Sequence, residues 1–182
     1  NAGLLGGEKY DLQGIIGTML MKDPVFPVPS SLIEQACSFN DYDCGTVFEL
    51  GDGVVIKTSK LNHPNGACGY RIEFDGKVIA ICTDTEHYEG EIDANVVELA
   101  QDADIMVYDS AYTDEEYPKF KGWGHSTWQE AIKVAEKAQV KQTLLFHHDP
   151  SHNDEKMDQI AQEAAAVREG VRPAIEGEVI SL

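Results

Sequence analysis

Five side chains that could bind metal or move protons stand at the ends of predicted elements of this sequence. These residues are His63, Asp84, Asp109, His125 and His147. Four of them follow a predicted strand, and His125 precedes a predicted helix. Ligands bind at the carboxyl ends of strands in α/β sheets, so strands sharing one sheet and one direction would gather these groups at one edge. Imidazole and carboxylate together suit zinc, manganese or iron, and the pattern therefore predicts a metal site.

The elements that must position these side chains are predicted by apolar runs and by turn signals. Runs of apolar or alternating residues predict strands at 47–50, 54–62, 70–74, 78–82, 105–108, 143–146 and 174–182. Helical spacing predicts helices near 12–20, 96–100, 127–138 and 157–167. Asp75-Gly76 is a hairpin signal. Ser126 and Thr127 each precede a Gln or Glu by three residues, which predicts a helix start directly after His125.

The bulk composition predicts one soluble domain over residues 1–182. The net charge of -18 makes an extended nucleic acid an unexpected substrate, and it favours a small phosphodiester or ester. No apolar run is long enough to span a bilayer, and no signal peptide is recognised, so we expect a cytoplasmic protein without membrane contact. The four cysteines lack CxxC spacing and are expected to be reduced thiols. The sequence does not begin with Met, which favours an origin inside a longer polypeptide.

The order of these motifs resembles the metallo-β-lactamase superfamily, and within it the phosphodiesterase-type branch that includes ribonuclease Z. The resemblance rests on short motifs in the right order: Thr83-Asp84-Thr85, Asp109-Ser110-Ala111, Gly124-His125-Ser126-Thr127, and single histidines at 63 and 147. It covers about residues 45–182, the C-terminal two thirds of such a domain. The resemblance implies an αββα sandwich and a metal-dependent hydrolase, with a dinuclear site that holds a metal-bound hydroxide.

Roles for the five residues follow from the resemblance. It implies that His63, Asp84 and His147 are metal ligands, with Asp84 bridging two divalent ions, most simply zinc, with manganese or iron as alternatives. It implies that His125 is a catalytic donor to the scissile phosphate and that Asp109 supports it. The family more often has Glu at the position of Asp109. A charged His125 would be opposed by the positive end of the following helix, and Asp109 would restore that charged form.

One family motif, His-x-His-x-Asp-His, is absent from this sequence. The chain therefore resembles a domain that lacks its first strands, and we expect it to be completed by an upstream segment, by a second chain or by another copy. The alternative to an enzyme is a non-catalytic protein of the same fold that binds a ligand or partner. A hydrolase would hold about two metal equivalents in the complete protein, and the alternative one or none.

Other candidates are left open by the sequence. His87 could reach a substrate. Trp123 and Trp128 flank His125 and could stack on a base or pack at the rim of the site. Neither a nucleophilic serine elbow nor a phosphate loop occurs. A further histidine-rich segment could be an accessory metal or substrate loop, or a polar loop with a helix cap, and its polar residues are His148, Asp149, His152 and Asp154.

We expect residues 1–182 alone to be catalytically silent and to hold at most one weakly bound ion. The reason is that two metals sharing one bridge need about five ligating side chains, whereas three are predicted here. The test is to purify this chain, load it with zinc or manganese, and assay a chromogenic phosphodiester. Metal-dependent turnover by a verified monomer would contradict the expectation.

Overall fold

The computed structural model describes residues 4–5, 8–9, 11–16, 31 and 36–182. The chain divides into two compact units, residues 1–44 and 45–182. In the first unit, the two-residue strands β1 (Leu4–Leu5) and β2 (Glu8–Lys9) pair antiparallel. Helix α1 (Leu12–Ile15) follows, and Asp11 caps it. Residues 17–20 of the predicted first helix lie outside the described residues, and the single domain over 1–182 stays a prediction.

The second unit is built on a seven-stranded sheet whose strands lie side by side in chain order. The strands are β3 (Val47–Gly51), β4 (Val54–Leu61), β5 (Ala67–Phe74), β6 (Lys77–Cys82), β7 (Ile105–Asp109), β8 (Gln142–Phe146) and β9 (Val171–Pro173). Strands β3 to β6 pair antiparallel, and β6 to β9 pair parallel. The carboxyl ends of β6, β7 and β8 therefore meet at the same edge of the sheet.

Turn chemistry and helical crossovers explain this change from antiparallel to parallel pairing. Asp75 and Gly76 join β5 to β6 with φ angles of 48° and 71°, which a two-residue hairpin turn of this kind requires. Parallel strands need longer connections, usually helices. Helix α2 (Ala94–Ala100) connects β6 to β7, α3 (Trp128–Lys137) connects β7 to β8, and α4 (Asp154–Val167) connects β8 to β9.

The helices are held by side-chain caps and by one shared apolar core. Asp93, Thr127 and Asn153 cap α2, α3 and α4 through hydrogen bonds to backbone N–H groups. The buried side of α3 packs into the core together with residues of the sheet and of the other two helices. Among the described residues, no helix is both long and apolar enough to cross a membrane.

The predicted α/β class, with a mixed sheet and helices outside it, is confirmed. The described residues contribute one large sheet of the predicted αββα arrangement. The predicted strand at 174–182 is wrong, because the last strand spans only Val171–Pro173. Its neighbour β8 ends at Phe146, and the next residue, His147, turns away with a φ of 65°. No ladder partner remains beyond Ala174, whose N–H donates to the Leu145 carbonyl.

Candidate metal centre

Four of the five predicted site residues lie at or just beyond the ends of strands, and His125 lies three residues before helix α3. Asp109 is the last residue of β7, whereas His63, Asp84 and His147 follow β4, β6 and β8 by one or two residues. Asp84 and His147 adopt left-handed backbone conformations, with φ angles of 58° and 65°. Few non-glycine residues do so, although Asp and His tolerate it better than most. The backbone thus turns sharply shortly after β6 and β8, at Asp84 and His147.

The side chains of these residues converge. One nitrogen or oxygen atom from each of His63, Asp84 and His125 lies within 4.8 Å of the other two, and the same holds for Asp109, His125 and His147. The distance from His147 Nε2 to Asp84 Oδ1 is 3.4 Å. The clustering of His63, Asp84 and His147 that the sequence predicted is therefore present, whereas their binding of metal stays a prediction.

Asp109 is completely buried and fixes the orientation of His125. Its Oδ2 atom lies 2.9 Å from His125 Nδ1 and accepts from the Thr85 N–H at 3.2 Å. Its Oδ1 atom accepts from the N–H groups of Ala111 and Ser126. A buried carboxylate needs such donors, because an unpaired charge is costly inside a protein. The described hydrogen bonds of Asp109 thus connect the backbone at Thr85, Ala111 and Ser126 with the His125 ring.

The hydrogen bond from His125 to Asp109 raises the pKa of His125 above its ordinary value. Partial burial of the ring works against this rise, and the negative charges of Asp109, Asp84 and Glu86 add to it. The His125 ring stacks on the His147 ring at 4.6 Å between centroids. Because Asp109 engages Nδ1, the Nε2 atom is the one that His125 can offer to a ligand.

The donor set fits a divalent metal ion. Two imidazole rings and one carboxylate that lie within a few ångströms of one another match the ligands preferred by zinc and related metals. Asp109 is not a suitable ligand, because four hydrogen bonds occupy its oxygens. His125 belongs to both convergent groups. A histidine oriented by a carboxylate can ligate a metal, so the geometry suits His125 as a metal ligand as well as a hydrogen-bond donor.

Glu86 is part of this region, although it was not among the residues selected from the sequence. It is only 7% exposed. Its carboxylate accepts hydrogen bonds from the Tyr117 hydroxyl and from the N–H groups of Gly122 and Gly124, at 2.6, 2.8 and 2.9 Å. Burial raises the pKa of Glu86, but these hydrogen bonds outweigh burial and leave the pKa below its ordinary value. The only signal in the sequence was the glycine pair at 122 and 124.

Gly124 brings the loop before His125 against His63. Its φ is 95°, in the region that favours glycine. A Cβ atom at this position would lie 2.2 Å from His63 Cδ2 and 2.7 Å from Pro64 Cδ. Gly122 also has a positive φ, of 88°, but a Cβ atom there would meet nothing within 4 Å. Only the second glycine is required by contact with the site.

The remaining candidates from the sequence lie at different distances from this centre. His87 donates to or accepts from the Ser126 hydroxyl at 2.9 Å and packs on Tyr117. It lines a groove of about 320 Å³ that reaches His63. Burial lowers the pKa of His87. His87 thus lies beside the groove that reaches His63, and its contact with a substrate stays a prediction.

The histidine-rich segment does not form a metal cluster of its own among the described residues. His152 Nε2 lies 3.1 Å from Glu116 Oε1. Burial lowers the pKa of His148. Asn153, and not Asp154, caps the last helix.

The two tryptophans differ sharply in exposure. Trp128 is buried in the core at 5% exposure, whereas Trp123 is 63% exposed at the tip of the loop before His125. Trp123 contacts Phe120 edge to face, with ring centroids 5.5 Å apart.

Cys82, next to the site, is buried, and burial raises the pKa of its thiol to about 12. It is therefore a neutral core residue.

Comparisons with known proteins identify the family of this chain. Residues 22–148, more than half of the chain, match the family described as the Beta-lactamase superfamily domain. The chain is 32% identical over 123 residues to ribonuclease Z of Anoxybacillus flavithermus, covering 68% of this chain and 35% of that protein. It is 34% identical over 138 residues to ribonuclease Z of Gemmatimonas aurantiaca, covering 76% and 40%. The chain thus spans well under half the length of these two relatives.

Solved structures show the same fold. Human short-form tRNase Z matches with a TM-score of 0.56 at 24% identity, over 74% of this chain and 44% of that chain. A metallo-β-lactamase fold protein of Bacillus subtilis matches with a TM-score of 0.62 at 19% identity, over 75% and 52%. At these identities the structural likeness concerns the fold alone.

The expectation of a small substrate and of no extended nucleic acid was wrong. The relatives that the chain matches are by name ribonucleases, whose substrate is RNA. The error has a physical cause. A net charge of -18 sums the whole chain, whereas substrate binding depends on the charges and aromatic rings close to the site.

Gly124→Ala is expected to displace the His63 ring, because the new methyl group would overlap it. Gly122→Ala carries the same cost of a side chain at positive φ but meets no neighbour, so it is the matched control. The imidazole signals of His63 in ¹H–¹⁵N NMR spectra should shift in the first variant and stay in place in the second. Equal shifts in both variants would show that Gly124 is needed only for its backbone conformation.

Proposed function

Because the chain belongs to the metallo-β-lactamase superfamily, we propose that the protein is a divalent-metal-dependent hydrolase of RNA phosphodiester bonds. The observation that carries this proposal is that Asp84 lies close to both His63 and His147, beside a histidine that a buried carboxylate orients. The similarity to ribonuclease Z supports RNA as the substrate.

In this proposal His63, Asp84 and His147 are the metal ligands that this chain contributes to a dinuclear site. Asp84 is the shared ligand, since its carboxylate has two oxygens and lies close to both histidines. Zinc suits this donor set best, and manganese and iron use similar ligands. Bound divalent ions would polarise the phosphate and activate water for attack.

His125 acts in this proposal as the donor to the reacting phosphodiester. Its Nδ1–H donates to Asp109 Oδ2, which leaves the proton on Nε2 free to stabilise charge on a phosphate oxygen or on the leaving oxygen. The raised pKa of His125 favours this doubly protonated form. Asp109 supplies orientation and negative charge while it is itself held by three backbone N–H groups.

Groups that suit RNA lie close to the site. Trp123 is exposed on the loop that carries His125, and Tyr88 is 43% exposed beside the groove that reaches His63. Lys121 lines the same groove, where it pairs with Glu89. Proteins recognise single-stranded RNA by stacking unpaired bases on aromatic side chains. An exposed indole two residues from His125 is well placed for such a contact.

Exchange of Asp84 and of His125 should have different consequences in the full-length protein. Asp84→Ala should lose bound metal, because the proposal makes it the shared ligand. His125→Ala should keep the metal and lose about 10²–10³-fold in kcat, the scale of one transition-state donor. Metal content by mass spectrometry and steady-state cleavage of RNA test both expectations.

Asp154→Ala is the control for this pair, since Asp154 is an exposed aspartate in the first turn of α4. It should change neither metal content nor kcat. Metal loss in His125→Ala equal to that in Asp84→Ala would identify His125 as a ligand instead.

Trp123→Ala should raise KM for RNA by about 5- to 150-fold, which corresponds to the ~1–3 kcal/mol of one stacked base. Trp123→Tyr should retain most of the affinity, because it keeps an aromatic face. Phe74→Ala is the matched control, since Phe74 is also exposed, at 52%, but lies at the other end of the sheet. An equal change of KM with a chromogenic phosphodiester that carries no base would rule out stacking as the cause.

A further inference from the structure

Glu86 is a buried carboxylate whose hydrogen-bond partners are all uncharged. Its donors are one tyrosine hydroxyl and two backbone N–H groups. Within the described part of the chain, no lysine or arginine forms an ion pair with it. Burying a carboxylate is costly unless hydrogen bonds compensate it. The loop amides of Gly122 and Gly124 are therefore strongly held, because they provide two of the three compensating bonds.

The backbone of Glu86 is fixed at the same time to the segment that precedes His63. Its N–H donates to the Asn62 carbonyl at 2.8 Å, and its own carbonyl accepts from the Asn62 side-chain amide at 2.9 Å. Glu86 also follows Asp84 by two residues. One residue thus connects the segments that carry His63 and Asp84 with the loop that leads to His125.

The loop that Glu86 holds contacts both histidines of interest. Gly124 packs so closely on His63 that a Cβ atom would lie 2.2 Å from the ring. His125 is the next residue, and its ring lies 5.8 Å from that of His63 between centroids. A shift of the loop would therefore move His125 and release the support of His63 together.

We propose that Glu86 is a positioning residue, whose carboxylate fixes the Gly122–Gly124 backbone and so sets where the His125 and His63 rings stand. The inference rests on the proposed hydrolase function for its kinetic consequence, but its structural part is independent of that function. A displacement of about 1 Å from the productive geometry can cost about 10²-fold in rate. Replacement of the Glu86 carboxylate should therefore lower kcat.

The test is Glu86→Gln in the full-length protein. Glutamine keeps the size of the side chain but replaces one acceptor oxygen by an NH₂ group, which faces an N–H or O–H donor and cannot accept from it. We expect kcat for RNA to fall by about 10–100-fold, the scale for groups that orient ligands from the outer shell, with KM changed less than about threefold. The ¹H–¹⁵N signals of both His63 and His125 should move. Glu86→Asp keeps the charge and should recover part of kcat.

Glu116→Gln is the matched control. The Glu116 carboxylate also accepts three hydrogen bonds, from the N–H and hydroxyl of Thr113 and from His152, but it holds the turn before Tyr117 and not the loop that carries His125. Glu116→Gln should lower the melting temperature about as much as Glu86→Gln does. Its kcat and its NMR signals of His63 and His125 should stay unchanged.

Two results would overturn the proposal. One is a Glu86→Gln variant whose His63 and His125 signals coincide with those of the wild type. The other is an equal loss of kcat in Glu86→Gln and Glu116→Gln, which would reduce the role of Glu86 to stability. If the wild-type protein does not cleave RNA, the proposed function fails, and the NMR comparison still decides whether Glu86 positions the rings.

Discussion

The Asp109 carboxylate accepts four hydrogen bonds inside the protein, and the geometry of the site depends on them. Its donors come from the residue after Asp84, from the chain just beyond β7, and from His125 and Ser126. These segments lie where β6 and β7 end and where α3 begins. A single buried charge thus joins three segments of the chain, which a backbone hydrogen bond between Tyr112 and Ser126 and the contacts of Glu86 also hold together. Loss of any donor would leave part of that charge uncompensated.

A second carboxylate, Glu86, holds the same loop from its other end. Glu86 binds the N–H groups of residues 122 and 124, whereas Asp109 binds the side chain of residue 125 and the N–H of residue 126. The donors to Glu86 precede the donors to Asp109 along the loop, and both glycines that donate to Glu86 have positive φ angles. Hydrogen bonds to Glu86 on one side and to Asp109 on the other therefore restrict the position of His125, although the loop before it is rich in glycine.

The sequence predicted the parts of this structure that follow from local patterns. Apolar runs and the Asp75-Gly76 turn predicted the central strands, and polar residues at the strand ends predicted which side chains meet. The role of Glu86 could not be predicted in this way, since its partners lie 31 to 38 residues away. The false strand at 174–182 has a related cause. Its residues suit a strand, but β8 has already turned away at His147.

The net charge of the chain led to the wrong expectation about the substrate for a different reason. A carboxylate counts once in a sum of charges, whether it faces a substrate or is enclosed by N–H donors. Asp109 and Glu86 are enclosed, so their negative charges are already compensated by the loops that they hold. The group that faces a ligand in our proposal is instead the Nε2 atom of His125, and those same carboxylates raise the pKa of this histidine. The net charge of the chain therefore does not describe the groups that face a ligand at this edge.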